Sequence, residues 1–243
     1  HSKEYVDRLC NLELSKNEIR SIGFPLSEDL IKREFLIAGG TIMGAEKALD
    51  CGIAMNIAGG THHSFHDRGE AFCLLNDQAI CAQHLLDKGY AKKILIIDLD
   101  VHQGNGTASI FRNNKDVFTC SVHGAKNYPF RKEVSDYDVS MEDNCPDSVY
   151  IDEIKSLLPK LFDKIMPDFI FYLCGVDILE SDKLGRLGIS ITGCKKRDEL
   201  VLSFCKEKGI PVQCSMGGGY SKDLRVIIEA HANTFRVAKT LFT

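Results

Sequence analysis

In "KKILIIDLDVHQGNG" (residues 92–106), four apolar residues are followed by Asp98, Asp100 and His102 at alternate positions. Residues 94–97 read as a buried strand, and alternate strand residues share a face. Burying unpaired carboxylates is expensive. A divalent cation offsets that cost, and carboxylate oxygen and imidazole nitrogen are both metal donors. Three other stretches end in reactive residues. "AMNIAGG" leads into Thr61-His62-His63, "FIFYLCGV" into Asp177, and "PVQCSMGGG" into Tyr220. Asp100 and His102, with Asp177 as a third ligand, match the catalytic zinc pattern of three protein ligands and one open position. Zinc lowers the pKa of a water it holds to about 7. A neutral histidine suits the general base, and a tyrosine hydroxyl on a glycine hinge suits the oxyanion donor. The set fits amide hydrolysis. Each feature alone has an ordinary reading: a loop-capping Asp-x-Asp, two loop histidines, a flexible Gly-Gly-Gly turn. The inference rests on all four strand ends carrying such residues.

Positioning these groups requires a sheet. Helical patterns run over 2–50, 76–88, "GTASIFRN", 147–165 (with Pro159 as a blemish), 192–209 and 221–242. Ser27 is a candidate N-cap, with the helix ending at Gly52, and Thr192 lies near another cap. Strand patterns run over 53–57, 93–99, 117–122, 169–175 and 211–216, while 123–145 reads as irregular. The strands are near-continuous apolar runs, as expected when both faces are covered. Alternating strands and helices predict a three-layer α/β/α fold on a mostly parallel sheet, with ligands bound beyond the carboxyl ends of the strands. No linker, repeat or low-complexity segment divides the chain, so one domain over 1–243 is expected.

The chain has 243 residues, 44% hydrophobic and 26% charged, with a net charge of −4. That is enough to bury one sizeable core. No basic stripe or aromatic-basic interleaving suggests nucleic acid as a partner, and no apolar run is long enough to span a membrane. "KK" at 92–93 and "KKR" at 195–197 read as solvated faces. Ten scattered cysteines with no CxxC read as small buried hydrophobes in a reducing compartment. The cytoplasm is the expected location, and a nucleus is equally compatible. His66, His84, His123 and His231 read as surface or capping histidines. Cys73 reads as packing rather than a nucleophile. Gly39-Gly40 interrupts a helical stretch without forming a phosphate loop.

Four blocks resemble the histone deacetylase family of zinc-dependent amidohydrolases. They are "GGTHHSFHDRGEAFCLLND" (59–77), "DLDVHQGNGT" (98–107), "CGVDILESDKLGRLGIS" (174–190) and "SMGGGY" (215–220). Their order matches the family over nearly the whole chain. "HQGNG" with the double-histidine block is most similar to the class IV branch and its bacterial relatives. The resemblance implies an arginase/deacetylase-like fold and one Zn2+ per chain on Asp100, His102 and Asp177. It implies His63 as general base and then acid, His62 paired to Asp98 as electrostatic partner, and Tyr220 polarising the substrate carbonyl. It also implies a narrow acyl-lysine tunnel walled by Phe72, with Tyr128 opposite and Gly218 lining it. A monovalent cation, K+ or Na+, is implied at Asp98, the carbonyls of Asp100 and His102, Ser121 and Val122. The implied partner is an acylated lysine peptide or protein, or an acylated amine.

Two departures stand out. Where the class I pattern has an aspartate to orient His63, this chain has Asn105. An amide still accepts the imidazole N–H but lacks the charge that raises basicity, so a lower His63 pKa is expected. "HSKEYVDRL" resembles an early family helix that a strand and a substrate loop usually precede. The expectation is a domain lacking that segment, with part of the tunnel rim missing. Rival readings are acetylpolyamine hydrolysis, removal of longer acyl chains, and an acyl-lysine binding module with an impaired site. A binuclear manganese ureohydrolase needs more bridging carboxylates, and Gly104 and Leu179 stand where two of them would be.

Overall fold

The computed structural model describes residues 1–243. Six strands form one sheet: β1 (Ile53–Asn56), β2 (Ile94–Asp98), β3 (Val117–Gly124), β4 (Tyr137–Met141), β5 (Phe169–Leu173) and β6 (Val212–Ser215). Their order is β1-β6-β5-β2-β3-β4, and every neighbouring pair is parallel. Eight helices accompany them: α1 (Lys3–Cys10), α2 (Lys16–Ile22), α3 (Glu28–Cys51), α4 (Asp77–Asp87), α5 (Asn105–Ile110), α6 (Asp147–Ile165), α7 (Ile191–Lys208) and α8 (Leu224–Phe242).

Strand alternation gives the sheet one core on each face, and a third, smaller cluster of Tyr5, Leu9, Leu14, Ile22, Ile31, Leu74 and Leu75 holds the N-terminal helices. Leu95, Ile97, Ile170 and Tyr172 face one way and pack with residues of α6, α7 and α8. Ile94, Ile96, Phe169 and Phe171 face the other way, onto Ala45 and Ala48 of α3 and Cys81, Ala82 and Leu85 of α4. With both faces covered, β2 and β5 are buried throughout. This is the expected α/β/α architecture. The four strands that end in reactive residues, β1, β6, β5 and β2, are consecutive neighbours. Moreover, the chain leaves β2 toward β3 on one side, and β5 returns on the other. That reversal is where open α/β sheets bind ligands.

Local sequence explains the boundaries. Ser15 and Glu18 form a capping box at the start of α2, and Gly23, in the left-handed conformation, ends it. The N-terminal helical stretch is therefore three helices, with α2 standing between the first pattern and the helix capped by Ser27. Ser27 caps α3 and Gly52 closes it, as expected. Gly39 and Gly40 do not interrupt α3: a β-carbon at Gly40 would lie 3.1 Å from the Asn56 amide nitrogen, so the glycine permits close helix–strand approach. Ser190, not Thr192, caps α7, its hydroxyl accepting from Gly193 N–H at 3.0 Å. Pro159 sits on the exposed face of α6 while Ile154, Leu157, Leu158 and Leu161 are buried.

The stretch read as irregular contains β4. Its residues alternate between exposed and more covered positions, as an edge strand does. Eight cysteines are buried, Cys10 and Cys51 are exposed, and all ten are free thiols. No helix is long and apolar enough to cross a membrane.

Candidate active site

Beyond the ends of β2 and β5, Asp100, His102 and Asp177 converge. His102 Nδ1 lies 3.1 Å from Asp100 Oδ1 and 3.1 Å from Asp177 Oδ2. One donor atom from each residue falls within a 4.8 Å group. The backbone aims these carboxylates. Val101 N–H donates to Asp177 Oδ1 at 2.9 Å, His102 N–H to Asp100 Oδ1 at 2.9 Å, and Gly218 N–H to Asp100 Oδ2 at 2.9 Å. Glycine is required at two of the packing positions: a β-carbon at Gly175 would overlap Asp100, and one at Gly218 would overlap Asp177. Two buried carboxylates and one imidazole fit a borderline divalent ion such as zinc. Burial disfavours charge on His102, but the hydrogen-bonded Asp100 and Asp177 outweigh it and push the imidazole up to about 10. Burial and the Asp100 charge push Asp177 up to about 7.

Two histidines border this centre on the loop after β1. His62 Nδ1 lies 2.6 Å from Asp98 Oδ2, and His63 Nδ1 lies 2.6 Å from Asn105 Oδ1. Their Nε2 atoms are 3.1 Å apart. The two shift in opposite directions. Burial works against charge on His62, yet Asp98 and Asp100 push it up to about 9. Burial, with His62 alongside, holds His63 well below the usual histidine range. Divergent environments of this kind assign different acid–base tasks to neighbouring groups. Asp77, at the start of α4, anchors the loop. It accepts from Gly60 N–H and Thr61 N–H, each at 2.9 Å, and from the hydroxyls of Thr41 at 2.7 Å and Ser215 at 3.1 Å.

Tyr220 follows three glycines, of which Gly217 has φ 70°. Its N–H donates to Asp182 Oδ2 at 2.6 Å, and burial, before the nearby Asp100, raises its phenol far above the ordinary value. The hydroxyl therefore stays protonated. A cleft of about 870 Å³ is lined by His62, His63, Asp100, His102, Gly218 and Tyr220. Phe72, Tyr128, Phe24 and Phe130 add aromatic walls. Phe72 has φ 67° and packs on Phe24, with ring centroids 5.2 Å apart. The Tyr128 ring stands edge-on to His63 at 5.0 Å.

Of the residues singled out in the sequence, His62, His63, Phe72, Asp100, His102, Tyr128, Gly218 and Tyr220 line one cleft, while Asp177, Asp98 and Asn105 contact His102, His62 and His63 without lining it. Of the monovalent-cation set, Asp98 and Ser121 are register partners across β2 and β3, with Val122 next along β3. Ser121 Oγ is engaged with His123 Nδ1 at 3.0 Å. His123 and His231 are buried rather than surface or capping residues, and burial pushes each down to about 4. His123 belongs to β3, which is buried at every position but Phe118, and His231 lies on the inward face of α8. His66 is exposed as expected, and half-buried His84 pairs with Glu46 at 2.9 Å.

"KKR" is not wholly solvated either. Arg197 is completely buried, because α7 turns it inward beside Asp198. It donates to the carbonyls of Gly175 at 2.6 Å, Cys174 at 3.2 Å and Leu99 at 3.3 Å. Those carbonyls belong to the two segments that carry the triad. Arg197, Asp77, Phe24 and Glu70 are the supporting residues that sequence reading missed. Asp77 was the most accessible of them, standing in "ND" next to the N-cap of α4.

The family model described as the histone deacetylase domain matches residues 1–235. An uncharacterized protein of Picosynechococcus sp. (strain ATCC 27264 / PCC 7002 / PR-6) is 41% identical over 242 residues, covering 100% of this chain and 81% of that protein. Histone deacetylase 2 of Arabidopsis thaliana is 34% identical over 202 residues, covering 82% of this chain and 52% of that protein. Histone deacetylase RPD3 of Saccharomyces cerevisiae is 31% identical over 245 residues, covering 91% and 55%. The chain spans about half the length of these plant and yeast relatives. The parallel sheet, the triad at its reversal point and the match over residues 1–235 agree: this chain belongs to the histone deacetylase domain family.

Proposed function

We propose that residues 1–243 act as one domain that hydrolyses an acyl-amide, with acetyl-lysine in a peptide or protein as substrate and zinc on Asp100, His102 and Asp177. The observation that carries this reading is the imidazole of His102 held 3.1 Å from two buried carboxylates inside an aromatic-walled cleft that also holds the histidine pair. The bound ion would supply Lewis-acid polarisation of the amide carbonyl and acidify water.

The rest falls to the chain's own residues. His63 donates from Nδ1 to Asn105, and its Nε2 lone pair, which faces His62 Nε2 at 3.1 Å, is the atom that takes a proton from the attacking water. Its low pKa keeps it neutral and ready at neutral pH. His62, charged and braced by Asp98, places a positive partner beside that proton transfer. The protonated Tyr220 hydroxyl donates to the carbonyl oxygen as negative charge develops there. His63 then returns its proton to the departing lysine amine, and the C–N bond breaks to give a carboxylate and an amine. Phe72 and Tyr128 exclude water around the acyl-lysine stem. The monovalent-cation site at Asp98, Asp100, His102, Ser121 and Val122 is retained as part of the proposal, and it rests on the family resemblance and the Asp98–Ser121 register.

The test is deacylation of three substrates, an acetyl-lysine peptide, a long-chain acyl peptide and an acetylpolyamine, by metal-loaded protein and by Tyr220→Phe. The expected result is preference for the acetyl-lysine peptide and a loss on the order of 100-fold in kcat for the variant, as for a removed oxyanion donor. Equal background release by both proteins would favour a binding module.

A further inference from the structure

We propose that Glu70 is a positioning residue that determines, through the side-chain amide of Asn105, which nitrogen of His63 carries the proton. The proposal rests on the reading of His63 as the base. Glu70 Oε1 accepts from Asn105 Nδ2 at 3.3 Å and also from the Tyr128 hydroxyl. Its second oxygen faces Arg68 Nε at 3.6 Å. The carboxylate is 19% exposed and is not among the residues that line the cleft.

An amide has two unlike ends, and the surrounding hydrogen bonds decide which way it points. An ionised carboxylate only accepts. Glu70 therefore requires the Nδ2 end of Asn105, which turns Oδ1 toward His63 at 2.6 Å. Facing an acceptor, His63 Nδ1 must donate, and its Nε2 keeps the lone pair. If the amide turned over, Oδ1 would oppose Glu70 Oε1, acceptor against acceptor, and Nδ2 would point at His63. The imidazole would then need its proton on Nε2, against the His62 N–H that faces it at 3.1 Å, and could not act as a base there. Tyr128 donates to the same Glu70 oxygen, so one carboxylate fixes both the channel wall and the imidazole tautomer.

The same contact explains why position 105 carries an amide. An aspartate there would set a second carboxylate against Glu70, and like charges so close resist joint ionisation. Glu70 and Asn105 thus act as one unit, with the negative charge one residue further from His63.

Two measurements on the full chain test this. The first needs no activity: 15N imidazole NMR of metal-free wild type, Glu70→Gln and Glu70→Ala. Wild type should show His63 protonated at Nδ1, and Glu70→Ala should show a substantial Nε2–H population. A His63 tautomer in Glu70→Ala identical to wild type overturns the proposal. The second is a kinetic cycle on the zinc-loaded proteins. Glu70→Ala should lose about tenfold in kcat with KM within about twofold, part of the 10²–10⁴ that a base contributes. Asn105→Asp should also lose activity, and Glu70→Gln/Asn105→Asp should regain most of it, because a lone aspartate needs no orienting. Strictly multiplicative losses count against the proposal. An inactive wild type with the expected tautomers would overturn the reaction and leave Glu70's role supported.

Discussion

At the residue scale, protons compete with any metal for the donors of Asp100, His102 and Asp177. His102 is pushed up to about 10 by Asp100 and Asp177, against the effect of burial. Near neutral pH a metal must therefore displace its proton, and Asp177, pushed up to about 7, adds a second below that. Protonation favours the metal-free state, so zinc affinity falls as pH falls. We expect about tenfold weaker binding per unit between about pH 8 and 7, and a steeper fall below 7. Competition with a chelator at several pH values measures this, and a flat profile would contradict it. Much of the site was legible at this scale, because Asp98, Asp100 and His102 share one short segment and the residue types declare their chemistry. Glu70 was not. Its partners Asn105 and Tyr128 lie 35 and 58 residues away, and only folding shows that the three meet. The effect expected of Asn105→Asp changes accordingly: from sequence alone it should raise His63, whereas beside Glu70 it introduces repulsion.

At the element scale, helices position what the strand ends present. Arg197 on α7 joins the Leu99 carbonyl to those of Cys174 and Gly175. Arg197→Met should leave Asp198 uncompensated and cost about 3 kcal/mol in urea unfolding. It should also weaken zinc binding by at least about tenfold, as loss of outer-shell support does. Full stability with unchanged metal affinity would refute the role. At the N-terminal end, Glu18 caps α2 and forms a bidentate pair with Arg8, at 2.8 and 3.1 Å, which clasps α1 to α2. That hydrogen-bonded guanidinium, despite some burial, brings Glu18 down from 4.5 to about 2. A lowered pKa gives stability that is present above about 4.5 and lost as pH falls through about 2. Glu18→Gln should therefore cost roughly 1 kcal/mol at neutral pH, and thermal unfolding should show the gap closing toward pH 2. A gap that persists there would count against the charge. Elements with strong apolar periodicity were legible. β4 was hidden because its residues 137–141, "YDVSM", pair on one side only and alternate with polar residues. Arg197 was hidden because a basic run reads as solvated until the helix phase is known.

At the scale of the whole molecule, function follows from strand order. The sequence shows that four strands end in reactive residues. It does not show that β1, β6, β5 and β2 are consecutive, since that order depends on crossovers packing against two separate cores. Once they are adjacent, Asp100, His102 and Asp177 fall at the reversal between β2 and β5, with the histidine loop and Tyr220 beside them. In the proposed reaction Asp100, His102 and Asp177, carried beyond those two strand ends, would together hold one divalent ion. The most direct test is metal content after zinc loading and exhaustive dialysis, for wild type, His102→Ala and Asp177→Asn. The prediction is one zinc per wild-type chain and little or none in either variant. A wild type that retains no zinc, or variants that retain a full equivalent, would contradict it.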